Sequence, residues 1–95
     1  MPAYMVIQTT VTNPDQYAGY PERIRSVVEK YGGHYRVQGG EIETLEGEWG
    51  YQSLFMVEYP SMDQARKMWH SDEYKELKRL REGAVDITVL LADGL

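Results

Sequence analysis

The sequence predicts an α+β fold, a sandwich of one four-stranded antiparallel sheet and helices in the order strand, helix, strand, strand, helix, strand. Three observations predict it. Four short runs are rich in β-branched or alternating apolar residues. Two longer segments between them carry apolar side chains at spacings of three and four. Glycine, proline and helix-capping residues stand at the joints.

The first run, residues 3–11 (AYMVIQTTV), reads as a strand with Met5, Ile7, Thr9 and Val11 on one face and Tyr4, Val6, Gln8 and Thr10 on the other. NPDQ then gives a helix start, with Asn13 as N-cap, Pro14 at the first helical position and Gln16 closing a capping box. Tyr17, Tyr20, Ile24, Val27 or Val28, and Tyr31 form its apolar stripe. Pro21 lies inside that stripe and predicts a kink near Gly19-Tyr20. Gly32-Gly33 follows the last periodic residue, where a helix end favours a left-handed glycine. HYRVQ, 34–38, is a second strand with Tyr35 and Val37 expected on one face, and Gly39-Gly40 permits a bulge or bend after it. SLFMVEY, 53–59, is the third strand, ended by Pro60.

Ser61 to Gln64 reads as a second capping box, with Ala65, Met68 and Trp69 as the inner stripe. Ser71 followed by Asp72 and Glu73 is a fresh N-cap, so the helical region is expected to break there, with Tyr74, Leu77 and Leu80 continuing the apolar face. Gly83 stops it, and AVDITVLLA is the last strand. Two right-handed strand–helix–strand units in one sheet make a ferredoxin-like sandwich with the helices on one face.

Strand parity sorts the sheet into two faces. One is nearly all apolar (Met5, Ile7, Phe55, Val57, Ile87, Val89, Leu91) and should meet the helices. The other mixes Val6, Leu54, Met56 and Leu90 with Tyr4, Gln8, Glu58 and Thr88. That is too apolar for a sheet face left in water, so a second copy of the chain is expected to cover it.

Bulk properties exclude several classes. At 95 residues the chain is read as a single domain, 1–95. Fifteen acids against ten bases give a net charge of −5, which disfavours nucleic acid and anionic membrane as partners. Cysteine is absent, which removes disulfides, thiolate metal sites and a cysteine nucleophile. No stretch reads as a membrane span or a signal peptide, so a cytoplasmic location is expected.

The six glycines between residues 30 and 50 are punctuation and not a phosphate loop. No Gly-Lys-Ser/Thr occurs, and Gly32-Gly33 follows a helix instead of preceding one. His34 and His70 lack metal-ligand spacing, so neither a metal nor a cofactor is expected; His70, beside Trp69, is the one weak haem-ligand candidate. Glu41, Glu43, Glu46 and Glu48 read as charges that protect a sheet edge.

Arg81 is the most informative residue. It falls near the inner face of its helix, where a guanidinium needs a partner. Glu58 or Glu43 could supply one, or the arginine could form the positive end of a pocket for a carboxylate or enolate oxygen. Tyr17, Tyr20, Trp69 and Tyr74 point inward from the helices and could wall that pocket, with Gly39 and Gly40 close by and Ser71 beside it.

The stretches VIQTTVTNPDQYAGY, VEKYGGHYRVQGGEIETLEG, VEYPSMDQARKMWHSDEYKELKRLREGA and LLADG together resemble the domain of unknown function 1330 family, over nearly the whole chain. The resemblance implies a homodimer in which two sheets pack face to face as a dimeric α/β barrel, and it implies no activity. The family often has a basic residue just before the second glycine pair. This chain has Gln38 there, with Arg36 expected on the same strand face. Two functions compete. One is a pocket that binds or transforms a small organic acid or aromatic, with cofactor-independent monooxygenases and isomerases as analogues at the level of fold. The other is a dimeric interaction or structural module without catalysis.

Overall fold

The computed structural model describes all of residues 1–95. The elements are β1 (Ala3–Val11), α1 (Pro14–Tyr17), α2 (Tyr20–Lys30), β2 (His34–Gln38), β3 (Ser53–Tyr59), α3 (Met62–Trp69), α4 (Asp72–Arg81) and β4 (Val85–Asp93). The strands form one antiparallel sheet in the order β2-β3-β1-β4, the ferredoxin-like arrangement expected. No helix is long and apolar enough to cross a membrane.

The register puts Met5 opposite Val57 and Leu91, and Ile7 opposite Phe55 and Val89. These residues form the face turned to the helices. Val6, Met56 and Leu90 align on the other side, which no helix covers. Val57, Tyr59, Ala65 and Met68 are fully buried at the centre of the core. Truncating a buried side chain such as Met68 to alanine costs about 2–5 kcal/mol.

Each predicted helix is two helices. The kink expected from Pro21 is a complete break. Helix α1 ends at Tyr17, Gly19 adopts a left-handed φ of 88°, and α2 restarts at Tyr20. Pro21 is tolerated because it lies in the first turn of α2, where backbone N–H groups have no intrahelical acceptor. The second break falls at Ser71, whose hydroxyl accepts from the Tyr74 N–H at 3.1 Å and donates to the Met68 carbonyl.

The capping boxes are half formed. Asn13 and Ser61 accept from the backbone N–H groups of Gln16 and Gln64. The Gln16 amide does not close the box; it donates to the carbonyls of Glu82 (2.7 Å) and Leu80 (3.3 Å), tying α1 to the end of α4. Leu80 is not part of the apolar face but 41% exposed, and Arg81 takes the buried position. Ala84, just beyond Gly83, is also fully buried.

Strand β2 departs from simple alternation. Tyr35 pairs with Val57 and Val37 with Met56, so a bulge lies at Arg36. The extra residue reverses the parity of the strand beyond it. Tyr35 and Gln38 therefore face the helices, whereas Val37 turns to the opposite face, contrary to the expected sharing of one face by Tyr35 and Val37. Arg36 does not share the face of Gln38 either; it pairs with Glu58 at 3.4 Å on the uncovered side. Residues 39–52 form a long irregular connection to β3, opened by Gly39 and Gly40 at φ 70° and 78°.

Candidate functional site

Helix α2 packs chiefly on α4, whereas α3 packs on β1, β3 and β4. The space between α2 and the sheet is a cavity of about 130 Å³. From above it is walled by Tyr20, Pro21, Ile24, Arg25 and Val28 of α2, with Tyr17 at the end of α1. The inner sheet face supplies its floor, including Ile7, Thr9 and Phe55. Trp69 and Tyr74, from either side of the α3–α4 break, close one side.

The aromatic walls are built by local geometry. The broken turn at Gly19 sets Tyr17 and Tyr20 against one another, ring centroids 5.4 Å apart. The break at Ser71 stacks Trp69 and Tyr74 at 4.8 Å, tilted by 34°. Trp69, Met5 and Val89 also border a second cavity, of about 220 Å³, between α3 and β4. Trp69 is thus a partition between the two.

Of the eight residues singled out in the sequence, Tyr17, Tyr20, Trp69 and Tyr74 lie in the cavity wall. Gly39, Gly40, Ser71 and Arg81 do not. Gly39 lies behind the Phe55 ring, about 3.9 Å from where its own Cβ would stand, and Gly40 has open space around it. Ser71 caps α4. Arg81 stands behind Tyr74, 5% exposed, and donates from Nη2 to the Tyr74 hydroxyl oxygen at 2.8 Å. No carboxylate pairs with it, so the expected bridge to Glu58 or Glu43 is absent; Glu58 is taken by Arg36. The Arg81 Nε has no partner in the chain.

Sequence reasoning missed Arg25, Tyr35 and Gln38. Arg25 lines the exposed side of the cavity with its guanidinium 5.8 Å from the centroid of the Tyr35 ring. Its one signal is its place beside Ile24, next to the apolar stripe of α2. Tyr35 reaches the cavity by its ordinary pairing opposite Val57, and Gln38 through the bulge.

Burial sets the protonation of the walls. It raises Tyr17 and Tyr20 above the ordinary phenol value, against the lowering effect of the Arg81 charge. Tyr35 is pushed up to about 12, again by burial, with Arg25 opposing. These phenols are protonated donors at neutral pH. Burial also works against the charge on Arg81, but the Tyr74 hydrogen bond and the nearby Tyr74 and Tyr20 oxygens outweigh it, so its pKa lies above the usual value. No aspartate, glutamate or histidine lines the cavity. His70 ends α3 as an exposed residue, and no three histidine or acidic side chains converge as a metal-holding group. The site therefore offers apolar surface, hydrogen-bond donors and positive charge, and no base.

A family model described as domain of unknown function (DUF1330) matches residues 2–95. None of the curated proteins matches the chain. Among solved structures, the chain is similar to RPA0582, a protein of unknown function from Rhodopseudomonas palustris, at 27% identity and a TM-score of 0.76, over 99% of this chain and 82% of that one. It is also similar to a dimeric ferredoxin-like protein of unknown function from Jannaschia sp. CCS1, at 9% identity and a TM-score of 0.76, over 99% and 100%. A third similarity is to SnoaB, a cofactor-independent oxygenase from Streptomyces nogalater, at 13% identity and a TM-score of 0.62, over 99% and 93%. Identities as low as the last two speak to the fold alone.

Proposed function

The chain belongs to the DUF1330 family, and from that premise we propose that it is a homodimeric small-molecule binding protein that takes a small aromatic or organic acid between α2 and the sheet. The observation that carries this reading is the aromatic-walled cavity of about 130 Å³. A protein whose dimer was its whole function would be expected to fill that space with its own tyrosines. Here Tyr17, Tyr20 and Tyr74 line the space instead. The wall is mostly apolar with a few polar groups, the usual make-up of a ligand site.

A second reading adds chemistry. SnoaB is a cofactor-independent oxygenase of similar fold. In the present cavity the walls hold donors and a cation but no base, so a substrate for such a reaction must lose its own proton with little help. Ligand-observed NMR of the protein against small carboxylates, phenols and haem tests the binding reading. Saturation transfer to single-ring compounds, abolished by Ile24→Trp, is the expected result. No transfer to any of them would leave the interaction-module reading standing. Oxygen uptake by a protein–ligand complex would move the assignment from binding protein to enzyme.

A further inference from the structure

We propose that the inner end of the cavity is an oxyanion site, in which the Tyr20 and Tyr74 hydroxyls, backed by the buried guanidinium of Arg81, receive the anionic oxygen of a single-ring aromatic acid or phenol. This rests on the binding reading above and adds charge and orientation to it.

Arg81 is 95% removed from solvent yet has no carboxylate partner. A buried charge without a counter-charge is costly, and a chain that only needed to tie α4 to α2 could do so with an uncharged side chain. Arginine has donors and no acceptor. Its bond to Tyr74, at 2.8 Å, therefore uses a lone pair of the phenol oxygen and leaves the phenol hydrogen to be given to something else. The Tyr20 hydroxyl lies close to the same guanidinium. Both rings line the cavity, and both hydroxyls are strengthened as donors by the cation behind them.

Arg81 opposes the effect of burial on Tyr17 and Tyr20, two residues of the cavity wall, so its charge is felt at that wall. The titratable groups around the space are Tyr17, Tyr20, Tyr35, Tyr74 and Arg25, with Arg81 behind them, and none is a carboxylic acid. The net charge of −5 lies elsewhere on the molecule. The lining is mostly apolar, which screens the attraction less than bulk water would. The volume, about 130 Å³, is near that of cavities known to hold one benzene ring. Arg81 touches the ligand only through the tyrosines, so it is a positioning residue.

The test compares benzoate, 4-nitrophenol and uncharged benzyl alcohol by calorimetry, with the visible absorbance of the phenolate followed across pH. A site that favours the anion lowers the pKa of bound 4-nitrophenol, by about one pH unit for each tenfold preference. Arg81→Met is expected to weaken benzoate at least about tenfold, to leave benzyl alcohol unchanged, and to abolish the shift in the nitrophenol titration. Tyr20→Phe and Tyr74→Phe keep the ring packing, so they carry the test if Arg81→Met does not fold; each should lose part of the anion preference. Preference for benzoate alone would mark a carboxylate site, and preference for 4-nitrophenolate alone a phenolate site, either being consistent with the proposal. Equal binding of anion and benzyl alcohol would overturn the proposal while leaving the cavity reading intact. So would loss of anion binding in Arg25→Met but not in Arg81→Met or the tyrosine variants, which would put the anion at the exposed rim. Binding of none of the three probes would overturn both.

Discussion

Gly33 and Gly40, one from each glycine pair, work for different physical reasons. Gly40 has φ 78° with open space where a Cβ would stand, so its requirement is conformational. Gly33 has no left-handed φ; it is Gly32, at φ 84°, that ends α2 in that conformation. A Cβ on Gly33 would lie 2.6 Å from Val28 Cγ1 and 2.9 Å from the Tyr59 ring, both buried. Gly40→Ala is expected to cost about 1–2 kcal/mol, the penalty for a side chain in the left-handed region. Gly33→Ala is expected to cost about 1–3 kcal/mol through overpacking. A second change separates the causes: Val28→Ala should relieve part of the Gly33→Ala defect and none of the Gly40→Ala defect. Chemical denaturation of the three single variants and the two double variants measures this, and equal rescue of both would refute the distinction. Tyr17, Tyr20, Tyr74 and Trp69 of the cavity were legible because helical spacing places them inward. Arg25 was not, because an arginine flanking an apolar stripe is usually just solvated. Helical spacing turns Arg81 inward but does not single out its partner, since a phenol oxygen accepts from a guanidinium as an acid does.

At the scale of elements, strands β1, β2 and β3 were legible to their ends. Strand alternation and the glycine, proline and capping residues bounding them agree on the same limits. The bulge at Arg36 was not, since no glycine or proline marks it, and one extra residue reverses which side chains reach the cavity. The α1–α2 break goes beyond the kink that an interior proline predicts, because Gly19 makes Pro21 a first-turn residue. Helices α2 and α4 are also joined across their surface. Lys30 of α2 pairs with Glu73 of α4 at 2.7 Å, and the Tyr31 hydroxyl donates to the same carboxylate. The Lys30 hydrogen bond holds Glu73 below the usual carboxylate range, and Glu73 raises Lys30 in turn. A carboxyl with a lowered folded pKa stabilises above its unfolded pKa and loses that contribution as pH falls through the folded value. A lysine with a raised one stabilises below its unfolded pKa and loses it as pH rises through the folded value. Glu73→Gln should therefore lower the melting temperature slightly at neutral pH. The difference should vanish in acid once Glu73 is protonated, and shrink in high salt because the pair is exposed. A deficit that persists unchanged in acid would show that the carboxylate charge is not the cause.

The whole molecule is a slab of 32 × 30 × 17 Å. Its thin dimension holds one sheet and one layer of helices, so only one face of the sheet is covered by its own chain. The bare face carries Val6, Leu54, Met56 and Leu90, the last 54% exposed, on strands paired in register. The slab's broad face is large enough for the roughly 800 Å² per partner that a stable interface buries. Part of its polar surface is already paired within the chain, and the unpaired Asp86 lies near the start of β4, away from the centre of the face. Gln8 accepts from the Thr88 hydroxyl at 2.9 Å, and Arg36 pairs with Glu58, so these side chains are already partnered when the face is buried. Sheets packed face to face stand about 10 Å apart, which leaves no room for a solvated charge at the centre. Met56, on β3 opposite Val6, is central to this face, so Met56→Glu should convert a dimer to a monomer in light scattering at micromolar concentration. The same charge placed on the helix side, Lys67→Glu, should leave the dimer intact. Because the cavity lies on the opposite side of the sheet from Met56, a folded Met56→Glu monomer should still bind single-ring ligands. A wild-type chain that is already monomeric under these conditions would refute the interface, and loss of ligand binding on dissociation would show that the cavity needs the second copy to hold its shape.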